Sequence, residues 1–427
     1  MKHTAPKYLF LIFLLWIIPA CEPAIERPGP HAGEADFTTY AAIGNSLTAG
    51  FKDGELFRNG QEHSLANLMA NQLMYAGLTS FSQPLMKDEL GFGNRLVLAE
   101  ADGSLRPVPA PGNPDPANGE NIFNAEGPFH NLGVPGAKIQ HLLFKGYGAM
   151  NPYFGRFAAN PATSSVVTDA MALQPTFFSL WAGNNDILGF ATSGGKGDQI
   201  TPAEEFATFY QMLVSELTKE GAGGVVANIP DITIIPFFTT VPFNALPVME
   251  QAMVDQLNSA YQEAPHISFS LGMNALVAED NSHPAGVRQL KEGELVLLTA
   301  LNGITQQGWG SQIPLPENHY LSEAQVSEIV EATEAFNQVI RETANARGLA
   351  HVDMHQRLHE AGQGIYIDGI AFDVSFITGG IFSLDGIHLS KRGSAIVAND
   401  FIRAINNHYG ATIPEVTVGQ IEGIRFP

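Results

Sequence analysis

The strongest constraint on the fold is a junction that recurs along the chain, in which a helix-patterned segment passes through glycine into a short apolar strand. Ser322 to Gly348 shows it best. Ser322 with Gln325 predicts a capping box, and Val326, Ile329, Val330, Phe336 and Ile340 recur on one helical face. Gly348 stands where a helix closes in the left-handed conformation, and Ala350-His351-Val352-Asp353 follows with strand character. Thr201-Pro202-Ala203-Glu204 likewise predicts an N-cap, a first-turn proline and a capping-box glutamate. That helix should reach about Lys219 and deliver the chain into a strand at Val225-Val226-Ala227-Asn228-Ile229. Tyr40 to Ile43 and Thr176 to Trp181 supply two more strands. Parallel strands need crossover connections, so this rhythm predicts an α/β fold with a parallel sheet covered on both faces.

Two stretches interrupt the rhythm. Leu85 to Phe129 reads as loop with a hairpin turning at Asp102-Gly103, and Phe237 to Pro316 mixes a helix near Val248–Tyr261 with irregular sequence. Neither is flanked by a linker-like change in composition. Both are therefore expected as insertions, around 85–129 and 237–316, into one domain spanning 37–427.

Ahead of that domain, Lys2 and Lys7 precede an apolar run from Tyr8 to Ala20, short for a membrane span but suited to a signal-peptide core. The run closes on Ile18-Pro19-Ala20-Cys21, which resembles a bacterial lipobox and holds the only cysteine of the chain. Residues 1–20 are expected to be a lipoprotein signal, and 21–36 a Pro- and Gly-rich tether beginning at a lipidated Cys21. The location implied is the bacterial cell envelope, at the outer membrane or cell surface, held by lipid. One cysteine excludes an intrachain disulfide. A formal net charge of -21 repels phosphate backbones and argues against nucleic acid as a partner.

The chemistry concentrates at strand ends. Gly44-Asn45-Ser46-Leu47 follows the first strand, and Asp385-Gly386-Ile387-His388 lies near the C-terminus. A serine, a histidine and a carboxylate are the parts of a hydrolytic triad. The α/β-hydrolase elbow needs glycine two residues on each side of the serine, and Thr48 breaks that pattern. Singly, each motif has a plain alternative: a cap, a turn or a surface loop.

Together the motifs resemble the SGNH (GDSL) hydrolase family, block by block and in order, over most of Phe37 to Tyr409. Gly44-Asn45-Ser46-Leu47 is similar to the first block, Asn131-Leu132-Gly133-Val134-Pro135-Gly136 to the second, Gly183-Asn184-Asn185-Asp186 to the third and Asp385-Gly386-Ile387-His388 to the fifth. The resemblance implies a three-layer α/β/α, flavodoxin-like fold with two insertions. It also implies Ser46 as nucleophile, His388 as base and Asp385 as the orienting acid. The oxyanion donors would be the Ser46 N–H, the Gly136 N–H (with Gly133 as the alternative) and the Asn185 amide. One residue departs from the family: Asn45 stands where the first block carries aspartate, a change that removes a charge without touching the triad.

The activity implied is metal- and cofactor-independent hydrolysis of carboxylic esters through an acyl-serine intermediate. Lipid esters and acylated carbohydrates are the substrate classes. The alternatives are a carbohydrate O-acetyl esterase and a catalytically silent ligand-binding lipoprotein. His351, Asp353 and His355 alternate as ligands on one strand face would, but Val352 and Met354 between them read as the buried face, so no metal is assigned. His283 reads as surface. The Phe- and Pro-containing run from Ile234 to Phe243 fits either an acyl pocket or core packing.

Overall fold

Five short strands make the central sheet of the computed structural model, which describes residues 29–101 and 103–427. The expected signal segment, Cys21 and the first part of the tether lie outside the described residues. The strands are β1 (Tyr40–Gly44), β2 (Asn131–Gly133), β3 (Phe177–Trp181), β4 (Gly223–Ala227) and β5 (Ala350–Val352). All pair in parallel, in the spatial order β2-β1-β3-β4-β5. This is the flavodoxin-like order, whose topological switch lies between β1 and β3. The sequence predicts four of these strands to within a few residues. It does not reveal β2, because Asn131-Leu132-Gly133 has one apolar side chain in three and no alternation to recognise.

Seven helices matter to the site: α1 (Ser46–Ala49), α2 (Leu65–Leu73), α3 (Asn185–Thr192), α4 (Ala203–Thr218), α5 (Glu323–Arg347), α6 (Met354–Gly362) and α7 (Lys391–Tyr409). α2 packs on α7 along one face of the sheet, and α4 on α5 along the other, which gives the three layers. β1 and β3 are buried along their whole length, as strands covered on both sides must be. Phe206 of α4 stacks on Phe336 of α5 with ring centroids 3.9 Å apart. α5 begins with the expected capping box between Ser322 and Gln325 and ends at Gly348 with φ +62°.

The start of α4 differs from the expectation. Thr201 makes no cap. Its hydroxyl donates to the Asp186 carboxylate at 2.8 Å and its N–H to the Asp186 carbonyl, so Pro202 takes the cap position without a side-chain bond. A buried carboxylate needing donors outcompetes a local cap.

Within 85–129, strands Leu96–Ala101 and Ser104–Pro109 pair antiparallel; Asp102, of the expected hairpin turn, lies outside the described residues. Arg156, fully buried, donates to the carbonyls of Asn118, Pro84 and Leu85 and ties this segment to the body. The segment 237–316 carries two small apolar clusters of its own, one around Leu276 and Leu315, the other around Val248 and Leu257. Its helix is shorter than expected, Gln251–Ala260, because Val248 instead pairs with Gly272 in a two-stranded ladder. Among the described residues no helix is long and apolar enough to cross a membrane.

Candidate active site

The register of the sheet brings the motifs to one edge. Gly44 lies opposite both Gly133 and Trp181, so the chain leaves β1, β2 and β3 at the same level, at the switch point. Asn45 turns the chain out of β1 into α1. Its side-chain oxygen accepts the Leu47 N–H at 3.0 Å, and its amide donates to the Asn184 side-chain oxygen at 3.1 Å. Ser46 opens the helix, where a backbone N–H has no intrahelical partner.

Asp385 and His388 sit on a tight turn closed by the Ser383 N–H on the His388 carbonyl at 2.7 Å. His388 Nε2 is 2.9 Å from Ser46 Oγ, and His388 Nδ1 is 2.9 Å from Asp385 Oδ2. The Phe51 ring lies 4.6 Å from the imidazole and holds it from the side. Four further donations fix Asp385: backbone N–H groups of Gly54 (2.9 Å), Ile387 (2.9 Å) and His388 (2.8 Å), and the Ser383 hydroxyl (3.1 Å). Burial alone would raise this carboxyl, but the facing imidazole and these hydrogen bonds hold it well below the usual carboxylate range. An ionised Asp385 accepts only, so Nδ1 carries the proton, and Nε2 is free to accept from the Ser46 hydroxyl.

The structure separates the two glycines considered as oxyanion donors. The Gly133 N–H is spent on the Asn131 side chain at 3.1 Å, and a Cβ at Gly133 would lie 2.3 Å from the Ala49 nitrogen. Its role is to let α1 approach β2. Gly136, with φ +77°, follows Pro135 in a turn closed by the Ala137 N–H on the Val134 carbonyl, and its own N–H makes no hydrogen bond among the described residues. Pro then Gly is the pairing a type II turn requires. Asn185 donates one amide hydrogen to the Ala137 carbonyl at 2.9 Å, which orients the amide and leaves its second hydrogen free. Asp186 behind it is fully buried, and burial pushes its carboxyl up to about 6 although Thr201 and the Ile139 N–H donate to it.

From Ser46 and His388 an apolar pocket with about 800 Å³ of space, part of it open to solvent, runs between α6, α7 and the sheet edge. Ile235, Leu358, Ile365, Ile387, Ile396 and Val397 are among its lining. The Ile234 to Phe243 run contributes Ile235 here, whereas Phe237 and Phe238 pack into the main core. His351, Asp353 and His355 do not converge. The strand ends at Val352, and Asp353 caps α6 through the Gln356 N–H while accepting from Asn228. His355 is thereby carried onto the helix, and half-buried His351 keeps a buried Nε2 without a partner among the described residues. His283 is half-buried, its ring tilted 35° to that of His266 with the centroids 4.5 Å apart.

Sequence reasoning missed Ser383, Gly54 and Phe51 around the relay, and Asn184 beneath Asn45. The only local signal is the Ser-Leu-Asp spacing, since Gly54 and Phe51 reach Asp385 and His388 from the other end of the chain.

The profile of the family described as GDSL-like Lipase/Acylhydrolase matches residues 40–401. No curated protein sequence matches the chain. Among solved structures, an α/β hydrolase enzyme, LAE5, from the metagenome of Lake Arreo is similar at 13% identity and TM-score 0.38, over 87% of this chain and 96% of that one. A putative GDSL-like lipase from Parabacteroides merdae gives 12% and 0.37, over 88% and 99%. A variant of the acetyl xylan esterase Axe2 from Geobacillus stearothermophilus gives 12% and 0.37, over 87% and 95%.

Proposed function

The chain belongs to the GDSL-like lipase/acylhydrolase family and is a carboxylic ester hydrolase; on that premise we propose that it works through an acyl-Ser46 intermediate and prefers acyl groups longer than acetyl. The observation that carries the mechanism is the unbroken relay from Ser46 Oγ to His388 to Asp385, each step 2.9 Å. Ser46 Oγ attacks the ester carbonyl carbon as His388 Nε2 takes the hydroxyl proton. The oxyanion that forms is met by the Ser46 and Gly136 N–H groups and the free Asn185 hydrogen, each donor contributing roughly 3 kcal/mol to the transition state. Collapse expels the alcohol, which receives the proton from His388. Water, deprotonated by the same imidazole, then attacks the acyl carbon and regenerates Ser46.

The apolar lining of the pocket beside Ser46 supports an acyl group with an aliphatic chain, for which Ile235, Leu358, Ile365, Ile396 and Val397 offer contact. The likeness to an acetyl xylan esterase keeps the second reading, deacetylation of carbohydrates, as the alternative. p-Nitrophenyl acetate, butyrate, octanoate and palmitate, assayed beside Ser46→Ala, separate the two. The proposal expects kcat/KM to rise beyond acetate, no turnover by the variant, and labelling of Ser46 by a fluorophosphonate. A strict acetate preference overturns the acyl assignment, and activity retained in Ser46→Ala overturns the mechanism. We also propose that Cys21 is acylated and holds the enzyme on the cell envelope; loss of membrane partitioning in Cys21→Ser tests it.

A further inference from the structure

We propose that Asp231, His355 and His359 form a binding site for a divalent transition-metal cation of the Zn²⁺ class, on the outer wall of the apolar pocket and separate from the Ser46–His388–Asp385 relay. His355 and His359 stand one helical turn apart on α6, so both imidazoles occupy one face, with ring centroids 5.0 Å apart. Asp231 comes from the loop after β4. Its Oδ1 is occupied by the Thr233 N–H (2.9 Å) and hydroxyl (2.6 Å), which leaves Oδ2 directed at His359 Nε2, 3.5 Å away. One ligand atom from each of the three residues lies within 4.8 Å of the others.

Bonds of about 2.0–2.2 Å set tetrahedral donors roughly 3.3–3.6 Å apart. The Asp231–His359 pair is already at that separation, and imidazole rotation, open to the exposed His359 and half-buried His355 side chains, supplies the remaining contraction. An ion pair between Asp231 and His359 would account for their contact alone. The shared helical face adds His355 to that pair as a third donor aimed at the same point.

The frame around the site is pre-set. Asn228 accepts the His355 N–H at 3.0 Å, donates to Asp353 at 2.9 Å, and gives its own N–H to the Val352 carbonyl. The loop that carries Asp231 and the helix that carries both histidines are thus already tied together. Two imidazoles and one carboxylate suit Zn²⁺, Cu²⁺ or Ni²⁺ rather than Mg²⁺ or Ca²⁺. Three protein ligands leave a fourth position for water. Pro230 and Ile232, on either side of Asp231, and Met354 and Leu358, between and beside the histidines, all line the apolar pocket. A cation here therefore clamps two walls of that pocket from outside.

The test is calorimetric titration of the untagged, chelator-stripped chain with Zn²⁺, beside Asp231→Asn and the double variant His355→Ala/His359→Ala. Circular dichroism and the metal-free unfolding temperature report whether each variant is folded. The expected result is one site of micromolar affinity, weakened about tenfold or more by Asp231→Asn and lost in the double variant. Zn²⁺ should also raise the unfolding temperature of the wild type by a few degrees and leave the double variant unmoved. No binding by the wild type at concentrations up to about 1 mM, a binding energy of roughly 4 kcal/mol, overturns the proposal. So does undiminished binding by the folded double variant.

Discussion

At the residue scale the position that departs from the family, Asn45, is also the one that turns the chain into Ser46, the proposed nucleophile. A carboxylate there could accept the Leu47 N–H as the amide oxygen does, but it could not donate to Asn184. Amide against amide is complementary as it stands, so the neutral residue fits its buried site without an unpaired charge. Asn45→Ala removes both the cap of α1 and the bond to Asn184, and leaves the buried Asn184 oxygen without its donor. We expect a stability loss of about 1–3 kcal/mol and a fall in kcat larger than any change in KM, because Ser46 is displaced while the apolar walls that α6 and α7 give the pocket are untouched. Urea unfolding and esterase kinetics check it; unchanged stability with unchanged kcat would show that Asn45 is a passive turn residue.

At the scale of elements, the close approach of α1 to β2 and the wall formed by α6 and α7 decide what the edge of the sheet can do. Gly133→Ala forces a methyl against the backbone of Ala49, where no side chain can yield. The cost should be about 3 kcal/mol, with Ser46 misplaced, read as a lowered unfolding temperature and lost activity together. Leu358→Trp adds bulk to the pocket wall and should lower kcat/KM for octanoate roughly tenfold more than for acetate. Equal loss on both esters would mean that the acyl chain does not enter there. The sheet and its flanking helices were legible because capping signals and apolar runs are local, as α5 between Ser322 and Gly348 demonstrates. The relay was legible because Asp385 and His388 share one turn and Ser46 follows a strand. β2, the role of Gly133, and Asp231 beside His359 were not. Each depends on contacts between segments distant in sequence, which no window of periodicity records. Thr201 failed as a cap for the same reason, drawn away by Asp186.

At the scale of the whole molecule, Asp186 couples folding to pH, since it joins three segments through the Ile139 N–H, the Thr201 hydroxyl and its own carbonyl to the Thr201 N–H. Its carboxyl is raised from 3.8 to about 6 in the folded chain, first by burial. Between those values the folded state holds a proton that the unfolded state has released. The stabilisation from that proton is fully present below the unfolded value and is lost as pH rises through about 6, amounting to about 1 kcal/mol between pH 5 and pH 7. Asp385 behaves oppositely, its lowered carboxyl giving up stability as pH falls below the unfolded value of 3.8, so its contribution is nearly constant over this window. His130, His141, His319 and His351, lowered mainly by burial, add a slope of opposite sign, stability rising with pH as the unfolded histidines lose their protons. A comparison with Asp186→Asn cancels these shared contributions. The amide oxygen can keep the Ile139 N–H while its NH₂ turns to the Thr201 hydroxyl, so the variant should fold. Measured by urea unfolding, the stability of the wild type relative to this variant should fall by about 1 kcal/mol from pH 5 to pH 7. A difference that stays constant, or that moves in favour of the wild type as pH rises, would mean that Asp186 is ionised throughout and that Lys138, Thr201 and Ile139 outweigh its burial.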